Sequence, residues 1–316
     1  MDKKKILILG VTASGKGKLA FELAKAIGGE IVSIDSMKVY RRMDIGTAKP
    51  SAENRRKIPH HLIDVLEPSE SFSVGRFLEL ADVVLKDTLS RGRPVVAVGG
   101  TAMYIKTLLY GLFEGAGTDE NIRDQIKARI ESEGLAQLYR ELSIIDPAAT
   151  QRIHGNDAKR IIRAMEVYQL TGKPISSFQQ QFESAGNVAE WVIIGLRREK
   201  ADASHRINMR VKRMIEDGLV DEVKRLLAEE RPLSPQARCA IGYAEIIDHL
   251  EGKTSLDEAI ELIKKNSRQL AKAQRTWFKT FRSVQWLDVK EDDTVENIVP
   301  KAMAIVDANG SFGIIT

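Results

Sequence analysis

The 316-residue chain has little that would place it outside a reducing, aqueous compartment. Its single cysteine, Cys239, excludes an intramolecular disulfide and any cysteine-based zinc site. No apolar run is long enough to cross a bilayer, and the N-terminal stretch Ile6-Leu7-Ile8-Leu9 is too short for a signal peptide, so a cytoplasmic location is expected. Internal repeats and low-complexity segments are also missing. The lack of any coiled-coil heptad run predicts a monomer. What is present is ordinary for a globular protein: 43% hydrophobic and 29% charged residues, enough for one elaborated domain or two. A net charge of +4 permits a nucleic-acid partner without demanding one, so the distribution of charge decides.

The most informative segment follows the first apolar run directly: Gly10-Val11-Thr12-Ala13-Ser14-Gly15-Lys16. An apolar strand that ends in a Gly-rich turn and opens a helix aims several backbone N–H groups and the positive end of the helix dipole at one point, and a lysine adds a mobile charge. This is a cradle for a di- or triphosphate. The usual phosphate-loop pattern closes on Ser or Thr, whose hydroxyl ligates Mg2+, whereas this chain has Gly17.

Leu19, Leu23 and Ile27 recur at helical spacing before Gly28-Gly29, which predicts a helix over 18–27. Short apolar strands are expected over Glu30 to Ile34, ending at Asp35, and over Pro94 to Val98, ending at Gly99-Gly100-Thr101, with an amphipathic helix from Phe77 to Leu89 between them. Ligands of an open parallel α/β sheet bind beyond the carboxyl ends of its strands, so the phosphate loop, Asp35 and Thr101 should share one crevice. From Thr118 to Gln180 the pattern is helical. Trp191 to Leu196 restores a strand, and helices are expected from about His205 to the C-terminus, with an aperiodic tail over Asp307 to Thr316. The expected fold class is therefore α/β, a P-loop-type parallel sheet flanked by helices, with a helical insertion and a helical C-terminal region. The core is assigned to residues 1–112 and 190–316 and the insertion to 113–189.

Basic residues gather in three places. Lys264, Arg268, Lys272, Arg275, Lys279 and Arg282 step by three or four and fall within roughly 80° of one helix face, with Ile263, Leu270, Trp277 and Phe281 expected on the other side. A second cluster comprises Arg197, Arg198, Lys200, Arg206, Arg210, Lys212 and Arg213; a third is Lys159, Arg160 and Arg163. Each could be a solvated face, but three such patches suit a polyanion such as RNA. Other features read more plainly. Asp35 could be a helix N-cap. Gly99-Gly100 could serve only a tight turn, His60-His61 has no third ligand nearby and reads as structural, and Trp191 and Trp277 read as core.

Taken in order, the motifs resemble those of the bacterial tRNA dimethylallyltransferase (isopentenyltransferase) family over residues 10 to about 278. Besides the phosphate loop they are Asp35-Ser36-Met37-Lys38-Val39-Tyr40, Met43 to Pro50, Pro59-His60-His61-Leu62-Ile63-Asp64, and Val98-Gly99-Gly100-Thr101 with Tyr104. Arg152 to Asp157 leads into Arg160 to Val167, and Thr171 to Ile175, Ile241-Gly242-Tyr243, Ser267-Arg268-Gln269 and Trp277-Phe278 complete the set. The resemblance implies transfer of a dimethylallyl group from dimethylallyl diphosphate to N6 of the adenosine just 3′ of the anticodon. It implies Asp35 as base, Thr12 and Thr101 as hydrogen-bond donors, and Arg210, more than Arg206, as stabiliser of the leaving diphosphate, which the loop Gly10, Val11, Thr12, Ala13, Ser14, Gly15, Lys16 and Gly17 would hold. It also implies an RNA-facing side carrying Asp35, Ser36, Met37, Lys38, Thr101, Arg123, Lys159, Arg160, Ile161, Ile162 and Arg163 against the tRNA anticodon stem-loop.

The chain departs from the family at Val11 (usually Pro), Gly17 (Ser or Thr), Lys38 (often Gln) and Ala273 (often Arg). Without the hydroxyl at position 17 no direct protein ligand for Mg2+ is assigned; the ion would be held through diphosphate and water, and a raised Mg2+ requirement is expected. The alternatives are an enzyme prenylating free AMP, ADP or ATP, a P-loop small-molecule kinase, and a non-catalytic RNA-binding descendant. The long basic helix favours tRNA over free nucleotides, Gly17 and the basic patches count against a kinase, and the presence of Asp35, Thr101 and Arg210 counts against a degenerate module.

Overall fold

The computed structural model describes residues 5–111, 117–178 and 187–309. Gln180, the expected domain junctions at 112–113 and the tail beyond Asn309 fall wholly or partly outside them. Six strands form one all-parallel sheet: β1 (Lys5–Gly10), β2 (Glu30–Ile34), β3 (His60–His61), β4 (Val95–Gly99), β5 (Trp191–Arg197) and β6 (Val284–Asp288), in the order β3-β2-β4-β1-β5-β6. Strands covered on both faces must be apolar throughout, and the cores of β1, β4 and β5 read as unbroken aliphatic runs for that reason.

The helix Lys16–Ile27 buries Leu19, Ala20, Leu23, Ala24 and Ile27, and it stops at Gly28, whose left-handed backbone (φ 64°) lets its N–H reach Ala24 O. That face packs in one cluster with Ile6 and Ile8 of β1, Ile194 of β5 and Ile298, Ala302 and Val306 of the terminal helix Val295–Asn309. Burial of each leucine, isoleucine or valine among them is worth about 1.5–3 kcal/mol. The structure corrects the expectation of helices alone after 205. β6 lies between the helices Leu256–Phe278 and Val295–Asn309, and its exposed edge, with only half-buried side chains, carries too weak an apolar run to be read as a strand. Ordered helix also continues to Asn309, beyond the expected start of the loose tail.

The chain divides into two compact units, Met1–Leu109 with Asn187–Thr316, and Tyr110–Gly186. The second is helical among its described residues and is built around Ile126, Leu138, Leu142, Ile161, Ala164 and Met165. Among the described residues no helix is long and apolar enough to cross a membrane.

Strand register brings the ends of four strands level. Leu9 and Ile34 both pair with Gly99, and Gly10 pairs with Leu196, so the segments leaving β1, β2, β4 and β5 emerge side by side on one edge. The approach is tight at β4: a Cβ on Gly99 would lie 2.0 Å from Ile34 O.

The loop that follows β2 is held by one buried carboxylate. Glu222 accepts the backbone N–H groups of Asp44 (3.0 Å), Ile45 (2.9 Å) and Gly46 (3.2 Å) and the Tyr243 hydroxyl (2.7 Å). Gly46 is required, since a Cβ would lie 2.4 Å from the Tyr243 ring. Glu222→Gln turns an amide NH2 toward N–H donors and should lower stability by about 2–3 kcal/mol, whereas Tyr243→Phe should lose about 1.5 kcal/mol. Urea unfolding with an unchanged m-value would check both; equal losses would count against the carboxylate as the anchor.

Candidate active site

The glycine-rich loop over residues 10–17 is braced from behind by side chains distant in sequence. Ala13 (φ 62°) and Gly15 (φ 94°) are left-handed, an alternation that turns successive N–H groups into one concavity. Arg206 Nε donates to Ala13 O (3.0 Å) and Arg198 Nε to Ser14 O (2.9 Å). Arg198 is buried and further fixed on Asp202 (2.8 Å) and Lys290 O (2.8 Å). With the carbonyls engaged outward, the N–H groups of the first helical turn, which have no acceptor one turn earlier, face the concavity. Within the loop itself two N–H groups are already used: that of Ser14 donates to Val11 O (3.1 Å), and that of Thr12 is held from farther away. The latter donates to Gln274 Oε1 (2.8 Å), and Gln274 Nε2 donates to Gly100 O (2.9 Å), so Thr12 has only its side chain to offer a ligand.

On the neighbouring strand ends, Asp35 Oδ1 accepts the N–H groups of Met37 (2.9 Å) and Lys38 (3.2 Å) and closes a turn; no helix follows it, so the helix N-cap reading is corrected. That leaves Oδ2 unused by the turn. Thr101 Oγ1 accepts the Ser36 N–H (3.2 Å), which leaves its O–H able to donate. Lys16 Nζ reaches Val11 O (3.1 Å), and Arg210 lies one helical turn beyond Arg206, with its Nε buried and without a partner. Burial drives the Lys16 ammonium down to about 7, helped by repulsion from Lys38 and Arg210 and opposed by Asp35. Burial likewise pushes Lys38 and Arg210 below their ordinary values, each opposed by Asp35. Three cations thus surround one carboxylate, an arrangement that favours a polyanionic ligand.

A family model described as IPP transferase matches residues 38–281, and one described as isopentenyl transferase matches residues 3–64. The chain belongs to the IPP transferase family. The tRNA dimethylallyltransferase of Geobacter metallireducens is 47% identical over 283 residues, 90% of this chain and 92% of that one. That of Acetivibrio thermocellus is 43% identical over 308 residues, 97% and 98% of the two chains. Among solved structures, the tRNA isopentenylpyrophosphate transferase of Bacillus halodurans aligns with a TM-score of 0.69 at 40% identity, covering 97% of this chain and 98% of that one. A eukaryotic dimethylallyltransferase described as acting on tRNA aligns with a TM-score of 0.83 at 27% identity, covering 98% and 80%.

For this member of the IPP transferase family, several residues singled out by sequence have other work. Ile161 is fully buried, so its side chain meets no partner, and the partly buried Ile162 packs against the same core. Arg123 (3.0 Å) and Arg163 (2.7 Å) are fixed on the buried carboxylate of Glu166, while Lys159 and Arg160 are exposed. Of the second basic cluster, Arg198 and Arg206 brace the loop and Arg197 pairs with Asp288. In the helix Leu256–Phe278 the buried stripe is Ile263, Ser267, Ala271, Gln274 and Phe278; Leu270 is 41% exposed, and the helix ends before Arg282. The basic arc therefore borders a partly polar buried face, and Gln274 on that face was missed because a lone glutamine gives no spacing signal. His61 Nε2 contacts Glu30 (2.8 Å) and His60 Nδ1 contacts Ile58 O (2.7 Å).

A bound anion would restore the charge of Lys16, so above pH 7 the binding of a diphosphate monoester should take up protons at Lys16, with Lys38 adding to the uptake. Affinity is expected to fall by up to about tenfold per pH unit between roughly pH 7.5 and 9. The free fold should gain stability over the same range, because the unfolded lysine keeps its proton toward 10.5 while the folded one has lost it. Calorimetric titration in buffers of different ionisation enthalpy reads the uptake, which Lys16→Met should reduce. A flat pH profile in the unmutated protein would show that Lys16 is not the contact.

Proposed function

We propose that this chain transfers the five-carbon dimethylallyl group from its diphosphate to N6 of the adenosine just 3′ of the anticodon of tRNA, releasing diphosphate. The observation that carries the reading is the Asp35 carboxylate, with one oxygen unused by its own turn, beside Lys16 and Arg210 at the level ends of β1, β2 and β4. The names of the relatives, dimethylallyltransferases of tRNA, support the same chemistry.

An exocyclic adenine amine is a weak nucleophile. Asp35 Oδ2 takes its proton as the N6–C1 bond forms and the C1–O bond to diphosphate breaks. Lys16, Arg210 and the loop N–H groups hold the charge that collects on the leaving diphosphate. The Thr101 hydroxyl, held in place by the Ser36 N–H, donates into the same space. The base must leave the anticodon stack, at a cost of a few kcal/mol offset by phosphate contacts. Exposed Lys159 and Arg160 of the insertion unit and Lys272, Lys279 and Arg282 of the core are suited to those contacts. The protein acts as a monomer in the cytoplasm on this reading.

The Mg2+ expected from the sequence finds no built protein site. Position 17 has no side-chain oxygen, and among the described residues no three His, Cys, Asp or Glu side chains converge. An ion accompanying the diphosphate would shield its charge while held by diphosphate oxygens and water, and no step above depends on it.

Labelled dimethylallyl diphosphate should pass its label to unmodified tRNA carrying adenosine beside the anticodon, and not to AMP or ATP supplied in parallel. Label in AMP or ATP would move the protein to the free-nucleotide class. Asp35→Asn should lower kcat by about 10²- to 10⁴-fold while tRNA binding changes little; an unaltered kcat would remove Asp35 from the proton transfer.

A further inference from the structure

We propose that Gln274 is a positioning residue for the transfer step, deciding whether the dimethylallyl carbon reaches the adenine amine or is lost to water. The inference rests on the transferase reading and adds to it a residue that acts through the backbone. Gln274 is 7% exposed, on the buried stripe of the helix Leu256–Phe278 between Ala271 and Phe278. Its Oε1 accepts the Thr12 N–H (2.8 Å) and its Nε2 donates to Gly100 O (2.9 Å). One partner is a donor and the other an acceptor, so the amide has a single orientation that satisfies both. A lysine or arginine has only donors and an ionised carboxylate only acceptors, so neither could replace it. Among the described residues it is the one side chain that hydrogen-bonds to both the loop after β1 and the segment after β4.

From Gly100 the connection runs on to the base. Thr101 comes next, and its Oγ1 accepts the Ser36 N–H (3.2 Å); Ser36 adjoins Asp35, whose Oδ1 closes the turn on Met37 and Lys38. The path Thr12, Gln274, Gly100, Thr101, Ser36, Asp35 thus joins the loop assigned to the leaving diphosphate to the carboxylate assigned to the amine proton. It has little slack: a Cβ on Gly100 would lie 2.5 Å from Gln274 Nε2 and 3.7 Å from Gly10 O. Transfer needs N6, C1 and the leaving oxygen in line, and a misplacement of about 1 Å can cost about 10²-fold. A loop that slips against Asp35 parts the amine from C1 but removes no group that holds diphosphate. The allylic C1–O bond can still break, its electron pair leaving with diphosphate. The oxygen of a water molecule then bonds to C1 and its proton passes to Asp35 or solvent, which gives the free prenyl alcohol.

The test supplies labelled dimethylallyl diphosphate and unmodified tRNA to the full-length protein and counts label in tRNA and in prenyl alcohol. The unmutated protein should place nearly all of it in tRNA. Gln274→Met, close in length but without either hydrogen bond, should lower kcat for transfer about 10²-fold and keep KM for the diphosphate within about threefold. Its alcohol share should rise about tenfold or more. Gln274→Glu is isosteric and cannot donate to Gly100 O when ionised; it carries the same expectation and keeps the test open if the methionine variant does not fold. Ile263→Ala lies on the same buried stripe, roughly 16 Å away along the helix axis. It should lower the melting temperature and leave the product ratio unchanged, which separates positioning from loss of stability. Transfer and alcohol formation falling together in the Gln274 variants, with their ratio unaltered, would overturn the inference and assign the amide to stability alone. An unchanged kcat with a raised KM would also overturn it, by placing Gln274 in diphosphate binding. No label in tRNA from the unmutated protein would instead overturn the transferase reading.

Discussion

The side-chain amide of Gln274 is the constraint on which the site depends. It accepts from Thr12 in the loop after β1 and donates to Gly100 after β4, so one planar group sets the distance between two strand ends. Gly100 is glycine because the amide leaves no room: a Cβ would lie 2.5 Å from Gln274 Nε2. Removing it would leave two buried main-chain groups unpaired, at about 1–3 kcal/mol each, and would free the loop to move against its neighbour. Gln274 comes from the helix Leu256–Phe278, and Arg198 and Arg206, which hold the loop carbonyls, also lie far along the chain. The glycine-rich loop is a local motif whose shape is imposed by distant residues.

That rigidity explains how three cations stay together around Asp35. Lys16, Lys38 and Arg210 are each disfavoured by burial, and the free protein bears that cost because the groups carrying them cannot relax away. Lys16 starts a helix whose apolar face is locked into the core, Arg210 stands on the helix that braces the loop, and Lys38 lies in a turn whose continuation is pinned by Glu222. Donors fixed before the ligand arrives need no reorganisation as charge moves onto a leaving group, the property that makes such sites effective.

The parts of this arrangement legible in the sequence were those encoded within a few residues. β2 occupies 30–34 as its apolar run implied, and the crevice at the strand ends follows from parallel topology once the glycine-rich ends of β1 and β4 are recognised. Partners of buried polar groups were not legible, because nothing in local spacing says that Glu222 meets Gly46 or that Glu166 holds Arg123. The long basic helix shows the same limit. Its buried stripe holds Ser267, Ala271 and Gln274, so hydrophobicity pointed to Leu270, which is exposed. β6 was missed for a related reason: an edge strand covered on part of one face needs no continuous apolar run.

The arginines show why a count of basic residues overstates an RNA surface. Arg123 and Arg163 neutralise a carboxylate with no solvent exposure, Arg198 is buried against Asp202, and Arg268 donates to Asn208 (2.7 Å). Arg198 also holds the Ser14 and Lys290 carbonyls and Arg163 that of Gly117, and guanidinium geometry suits such work because its several donors engage two partners at once. The basic positions left facing solvent include Lys159, Arg160, Lys265, Lys272, Lys279 and Arg282. Contacts to a phosphate backbone need charge more than fixed direction, so this division of labour lets a chain of modest net charge keep a rigid site and still present a basic face.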